Sequence, residues 1–285
     1  DNDGATNGDQ VIKGVVHDGT NFWFILAGSN NDILIKTNSS GARQAGVVLP
    51  SNKFDGITSV GNSLYLIENE WRCWDEIDTD GNCVESRVYK IAASGTLPGA
   101  GTTESNWAAA SGAAITGIFS IGSDWDRFGG LATGASSDLW TMDKEGSNFY
   151  NYRTTGIEKN SFQGEWTQGD AIAFNENLIY TAKGSVITRW NTTGGKIADW
   201  DLGGSVSIKG LTFDSNLIYF ADNNDGKLYA SFVGKSITSP VTSKGVAYST
   251  ISTETALWIL VDGSPKDYIV KVDPSDGSLI TNFGT

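Results

Sequence analysis

The chain has 285 residues, with 20 Lys and Arg against 33 Asp and Glu, a net charge of −13, and it carries 10 Trp, 12 Phe and 9 Tyr. That many aromatics exclude a disordered chain, and no run approaches the ~18 apolar residues of a membrane helix. The acidic balance excludes a phosphate-backbone binder, which needs clustered Lys and Arg. The chain opens at Asp1 with neither an initiator Met nor a leader, which reads as a piece of a longer, processed, multidomain protein. Residues 1–10 are expected to be an acidic linker, and 11–285 a single domain.

From residue 13 onward one pattern recurs: a Gly-apolar opening, a polar turn, an aromatic run, a polar hairpin and a second apolar alternation. The copies span 13–36 (KGVVHDGTNFWFILAGSNNDILIK), 55–90 (DGITSVGNSLYLIENE, a long insertion, then SRVYK), 116–142, 170–190, 209–230 and 244–272. Six copies at a period of about 46 residues match the ~40–50 of propeller blades. Runs of 4–7 alternating residues rich in Val, Ile, Tyr, Phe and Trp predict strands, with no helical periodicity. The expected fold is all-β, a six-bladed β-propeller of four-stranded antiparallel blades around a central channel. The chain opens on an inner strand and closes on an outer one at 278–283.

This periodic pattern, over the whole chain, resembles the six-bladed propellers that include the NHL and TolB-like families. The resemblance implies a disc in which the loops between strands 2 and 3, and those between blades, share the functional face. The leader DNDGATNGD offers Asp1, Asp3, Asn7 and Asp9 as oxygen ligands with Gly4 and Gly8 between them, which suits Ca²⁺. It resembles the end of a thrombospondin type 3-like calcium repeat; an ordinary acidic terminus is the alternative. In 75–85 (DEIDTDGNCVE), Glu76, Asp78 and Asp80 precede Gly81 at calcium-loop spacing. Arg87 stands where an EF-hand needs its bidentate Glu, so the choice is a different calcium turn or a plain hairpin tip. Cys73 and Cys83, both in this polar loop, read as a disulfide of an oxidising compartment, with two free thiols as the alternative.

The residue before each Gly-apolar opening is expected at the channel mouth: Lys13, Asp55, Thr116, Asp170, Lys209 and Lys244. Such a ring binds a small polar or anionic ligand, cradles a cation, or neutralises itself at a solvated pore. His17 is the only His, which excludes a His-ligated metal cluster. It aligns with Phe174, Phe213 and Tyr248 of sister copies, a bulky position. His17, Asp55 and Asp170 are the weak catalytic candidates. Trp23, Trp140, Trp190 and Trp258 lie in strand runs and read as core. Trp71, Trp74, Trp107 and Trp166 lie in long polar connections. With Glu70, Asp75 and Asn106 they form the expected ligand-binding patch, unless each Trp caps its own loop.

The leading functional expectation is a non-catalytic, extracellular or cell-surface adhesion domain. It would bind a glycan or a cell-surface protein through the loops of blades 2–4, with Ca²⁺ as its cofactor. The alternatives are a channel-mouth enzyme, either a polysaccharide lyase or a calcium-dependent hydrolase, and a structural spacer in a large surface protein.

Overall fold

The structure is a computed structural model. It describes residues 11–69, 86–93, 115–122, 128–144, 147–164, 169–203, 205–214, 217–232, 242–251, 254–262, 268–272 and 279–283. Every regular element among them is a strand. Blade 1 is β1 (Ile12–His17), β2 (Asn21–Leu26), β3 (Ile33–Asn38) and β4 (Arg43–Val48). Blade 2 is β5 (Phe54–Val60), β6 (Ser63–Glu68), β7 (Ser86–Ala92) and β8 (Ile115–Ile121). Blade 3 is β9 (Ala132–Thr133), β10 (Leu139–Met142), β11 (Asn148–Tyr152) and β12 (Glu158–Gln163). Blade 4 is β13 (Ala171–Asn175), β14 (Leu178–Lys183), β15 (Val186–Asn191) and β16 (Lys196–Asp201). The described strands of blade 5 are three: β17 (Ile208–Asp214), β18 (Leu217–Asp222) and β19 (Lys227–Phe232). Within each sheet the strands follow chain order, and every described pairing is antiparallel.

The protein is a β-propeller, but its ring closes at five blades rather than six. The inner strands β1, β5, β9, β13 and β17 pack side by side, and β17 returns directly to β1. The His17 N–H donates to Thr212 Oγ1 at 3.0 Å across that closure. A Cβ on Gly210 would lie 2.8 Å from the Val15 backbone nitrogen, so the two inner strands touch backbone to backbone. That contact leaves no gap for a sixth inner strand. The sixth sequence copy builds its own four-stranded sheet, β20 (Thr242–Ile251), β21 (Glu254–Asp262), β22 (Tyr268–Val272) and β23 (Leu279–Phe283). The chain divides into two compact units. One is Asp1–Asp214 with Ile218–Ala230; the other is Ser215–Leu217 with Ser231–Thr285.

The glycines at the start of the inner strands have a steric reason. On Gly56 a Cβ would sit 2.5 Å from Gly130 Cα, so only glycine lets neighbouring inner strands approach this closely at the axis. Outward from the axis the seams between blades are filled by aromatics. Trp23 and Trp190 are fully buried and Trp140 nearly so, as expected of strand-borne Trp. The indoles find partners, as buried indoles do: Trp190 Nε1 donates to Thr181 Oγ1 at 2.9 Å, and Trp23 Nε1 to Asp18 Oδ2 at 2.6 Å.

Candidate functional site: the charged end of the propeller axis

The five inner strands run in the same direction, so the residues that lead into them gather at one end of the axis. Lys13, Asp55 and Lys209 line that end together with Gly56, Gly130 and Gly210. Asp170 joins them through an ion pair with Lys209 at 2.8 Å. Lys144 lies 3.4 Å from Asp55. Lys13 donates to Asp32 Oδ2 at 3.0 Å and to the Asn52 carbonyl at 2.7 Å. Lys13, Asp55, Asp170, Lys209 and Lys144 keep 20–32% of their side-chain surface exposed, whereas the Asp32 side chain is fully buried.

Asp32 ties blade 1 to blade 2 by also accepting the Phe54 N–H at 2.9 Å. Burial pushes its carboxyl above the usual aspartate range, and the ammonium of Lys13 opposes that shift. Asn69, itself buried, ties blade 2 to blade 3. Its Nδ2 donates to Asp55 at 2.7 Å and to the Phe128 carbonyl at 2.8 Å, and its Oδ1 accepts the Phe128 N–H at 3.0 Å. Beside it the buried Glu68 accepts from Ser51 Oγ and, at 2.8 Å, from Tyr89 Oη. Burial and Glu68 push the Tyr89 hydroxyl up to about 12.

Below this charged end the axis is packed shut. Val15, Ile57, Leu131, Ile172 and Leu211, one from each blade, are all at most 4% exposed. The cavity between them is about 10 Å³, room for one water at most. The expected open channel is thus a closed floor.

At the opposite end lies a cavity of about 120 Å³, lined by His17, Thr58, Thr133, Thr212, Phe174 and Phe213 among others. Thr133 Oγ1 donates to the Ser59 carbonyl at 2.8 Å, so Thr58 is the donor in its 2.8 Å hydroxyl contact with Thr133. His17 packs against Phe22 with ring centroids 4.6 Å apart, and its Nδ1 is 3.9 Å from Asp214. Four residues of extended strand, about 13 Å, separate His17 from the level of Lys13. The structure therefore does not bring His17 together with Asp55 and Asp170.

Four of the expected mouth residues, Lys13, Asp55, Asp170 and Lys209, share one end of the axis. Thr116 does not. It is exposed on β8, the outermost strand of blade 2, and Gly129 takes the corresponding place in blade 3. Lys244 belongs to β20 in the second unit. The patch Trp71, Trp74, Trp107, Trp166, Glu70, Asp75 and Asn106 lies outside the described residues. So do the calcium ligands Asp1, Asp3, Asn7, Asp9, Glu76, Asp78 and Asp80, and the pair Cys73 and Cys83. Among the described residues no three His, Cys, Asp or Glu side chains gather as a metal site would require. Sequence reasoning missed Asp32, Asn69 and Lys144. All three sit in or beside loops between the second and third strands of their blades, where polar residues carry no periodic signal.

No protein-family model matches the chain, and no curated protein matches it. Solved structures do share its fold. A glutaminyl cyclase of Myxococcus xanthus superposes with a TM-score of 0.55 at 13% identity, over 78% of this chain and 90% of that one. Regucalcin of Agrobacterium tumefaciens, a calcium-binding protein, reaches 0.46 at 9% identity over 79% and 90%. A gluconolactonase of Xanthomonas campestris reaches 0.45 at 11% over 78% and 86%. At 13% identity the likeness to the cyclase supports the propeller fold and nothing finer.

Proposed function

We propose that the protein is a non-catalytic recognition propeller of an extracellular or cell-surface protein, and that its charged end binds a glycan. The observation that carries this reading is the ring at that end. Four blades contribute Lys13, Asp55, Asp170 and Lys209 around a closed floor, each partly exposed and charge-matched. Ammonium and carboxylate groups side by side give hydroxyl-rich ligands both donors and acceptors. The described strand ends Glu68 and Ser86 lie at this same end, and we add Trp71 and Trp74, which stand between them in sequence, to the proposed site. Aromatic faces there would stack on sugar rings. Ca²⁺ on Glu76, Asp78 and Asp80 is part of the same proposal.

The test is a glycan-array screen in millimolar Ca²⁺ and again with chelator, followed by Lys209→Ala and Asp170→Ala. An exposed pair of this kind contributes about 0–1 kcal/mol. The variants should therefore lose binding while keeping their melting temperature. A blank array under both conditions would remove the glycan reading and favour a protein partner.

A second reading, a channel-mouth enzyme, draws support from the fold likeness to the Myxococcus xanthus cyclase, because this fold is able to carry chemistry. Its His-based form requires His17, at the far end of the axis, to act on substrate there. Full turnover by His17→Ala on any substrate found would end that form.

A further inference from the structure

The seam between blades 5 and 1 holds a groove of about 640 Å³, walled by Ile12, Phe22, Phe24, Ile35, Tyr219 and Leu228. Two features of blade 5 hollow it. Ala221, the fifth residue of β18, stands where blade 1 has Ile25 as the fifth residue of β2. The described part of blade 5 also has three strands, where blade 1 has a fourth, β4.

Three observations describe what would fill the groove. Its volume falls within the ~300–1,000 Å³ of small-molecule sites, and its walls are mostly apolar, as such sites are. Thr37 extends the Ile33 and Ile35 stripe of β3 into the lining, and its hydroxyl is buried without a hydrogen-bond partner. Arg43, exposed on β4, is the only charged residue among those lining the groove. Thr37 and Arg43 are direct partners in the β3–β4 register, so they share one face of the sheet. A guanidinium has five donors, so a partner within the protein leaves others to use. A buried hydroxyl left unpaired is costly, and a ligand acceptor would remove that cost.

We propose that this groove binds a small apolar molecule with a carboxylate head, its chain against Phe22, Phe24 and Leu228 and its head at Thr37 and Arg43. The site is separate from the charged end and stands or falls without it. Decanoate is the probe, titrated calorimetrically into the full chain. It should bind saturably at one site. Ala230→Trp, which sets an indole into the groove from an exposed position, should abolish uptake. Arg43→Gln should weaken decanoate by about tenfold, the scale of one charge-assisted hydrogen bond, and leave decanol binding as it was. Nuclear Overhauser contacts from the decanoate chain to Phe22, Phe24 and Leu228 of the wild type would place it independently of any variant. The proposal is overturned by unsaturable uptake in the wild type, by absence of those contacts, or by a folded Ala230→Trp protein that binds equally well.

Discussion

The seam between blades 1 and 2 and the seam between blades 5 and 1 are built from the same repeat, yet one is closed and the other open. In the first, Trp23, Ile25, Leu34 and Val47 of blade 1 meet Phe54, Leu64, Leu66 and Tyr89 of blade 2, all at most 7% exposed. Asp32 and the Ser51–Glu68–Tyr89 chain cross its charged rim. In the second, Ile12, Phe22, Leu26 and Ile35 of blade 1 meet Ala221, with Phe24, Tyr219 and Leu228 only partly buried. The inner strands close the ring equally well in both. The difference arises further out, where Ala replaces Ile and the described part of blade 5 has three strands. In a propeller, then, closure at the axis does not guarantee closure at the rim.

Substitutions at matching positions should break this contrast most visibly. Trp23 and Tyr219 are the third residues of β2 and β18. Trp23→Ala should cost about 4 kcal/mol, the range for large core truncations. Tyr219→Ala, beside a groove that already exists, should cost about 1–2 kcal/mol, because little new cavity forms. Urea unfolding of both proteins measures the gap, and equal losses would mean that the open seam is as load-carrying as the closed one.

Lys13→Met removes the partner of a buried carboxylate and should cost about 3 kcal/mol at pH 7. The pH dependence follows from the raised Asp32 carboxyl. A carboxyl raised in the native state favours folding at low pH, where it is protonated in both states. That advantage is lost as pH rises through the native value. Without Lys13 only the Phe54 and Gly28 N–H groups oppose the rise, so the penalty should shrink when unfolding is repeated at pH 4. A cost independent of pH would sink the ion-pair account.

Tyr89→Phe should cost about 1 kcal/mol at neutral pH, one net hydrogen bond. The Tyr89 hydroxyl lies near 12 in the fold, above its ordinary 10.0. Its contribution is therefore complete below pH 10 and lost as pH rises toward 12. The variant should be spared that part of alkaline unfolding, read by circular dichroism from pH 9 to 12. At the open seam the smallest effect has the opposite sign. Thr37→Val discards an unpartnered buried hydroxyl and should stabilise the chain by up to about 1 kcal/mol. A lower melting temperature would show that the hydroxyl has a partner in solution.

Turn chemistry adds a smaller lesson about reading sequence. Asn38 and Asn191 each stand in an Asn-X-Ser/Thr sequence that reads as a glycosylation signal. In the structure both side chains close the same hairpin. Asn38 Oδ1 accepts from Ser40 and Ala42, and Asn191 Oδ1 from Thr193 and Gly195. The motif recurs because the turn between the third and fourth strands recurs.

By itself the sequence determined the all-β class, the strand-borne Trp core and the inner strands at Lys13-Gly14, Asp55-Gly56 and Lys209-Gly210. Those features are local, since alternation and a glycine at a backbone contact are written into a few consecutive residues. Blade 3 escaped because its inner strand is reduced to Ala132 and Thr133, while TGIFS at 116–120 imitates the opening DGITS at 55–59. Asp32, Asn69 and Lys144 escaped because a loop side chain acquires meaning only from the blade it reaches. The blade count was decided by tertiary structure alone. Six copies are present in the sequence, but the number in the ring depends on which inner strand packs against β1. That contact joins Gly14 to Gly210 across almost 200 residues, and no local pattern encodes it.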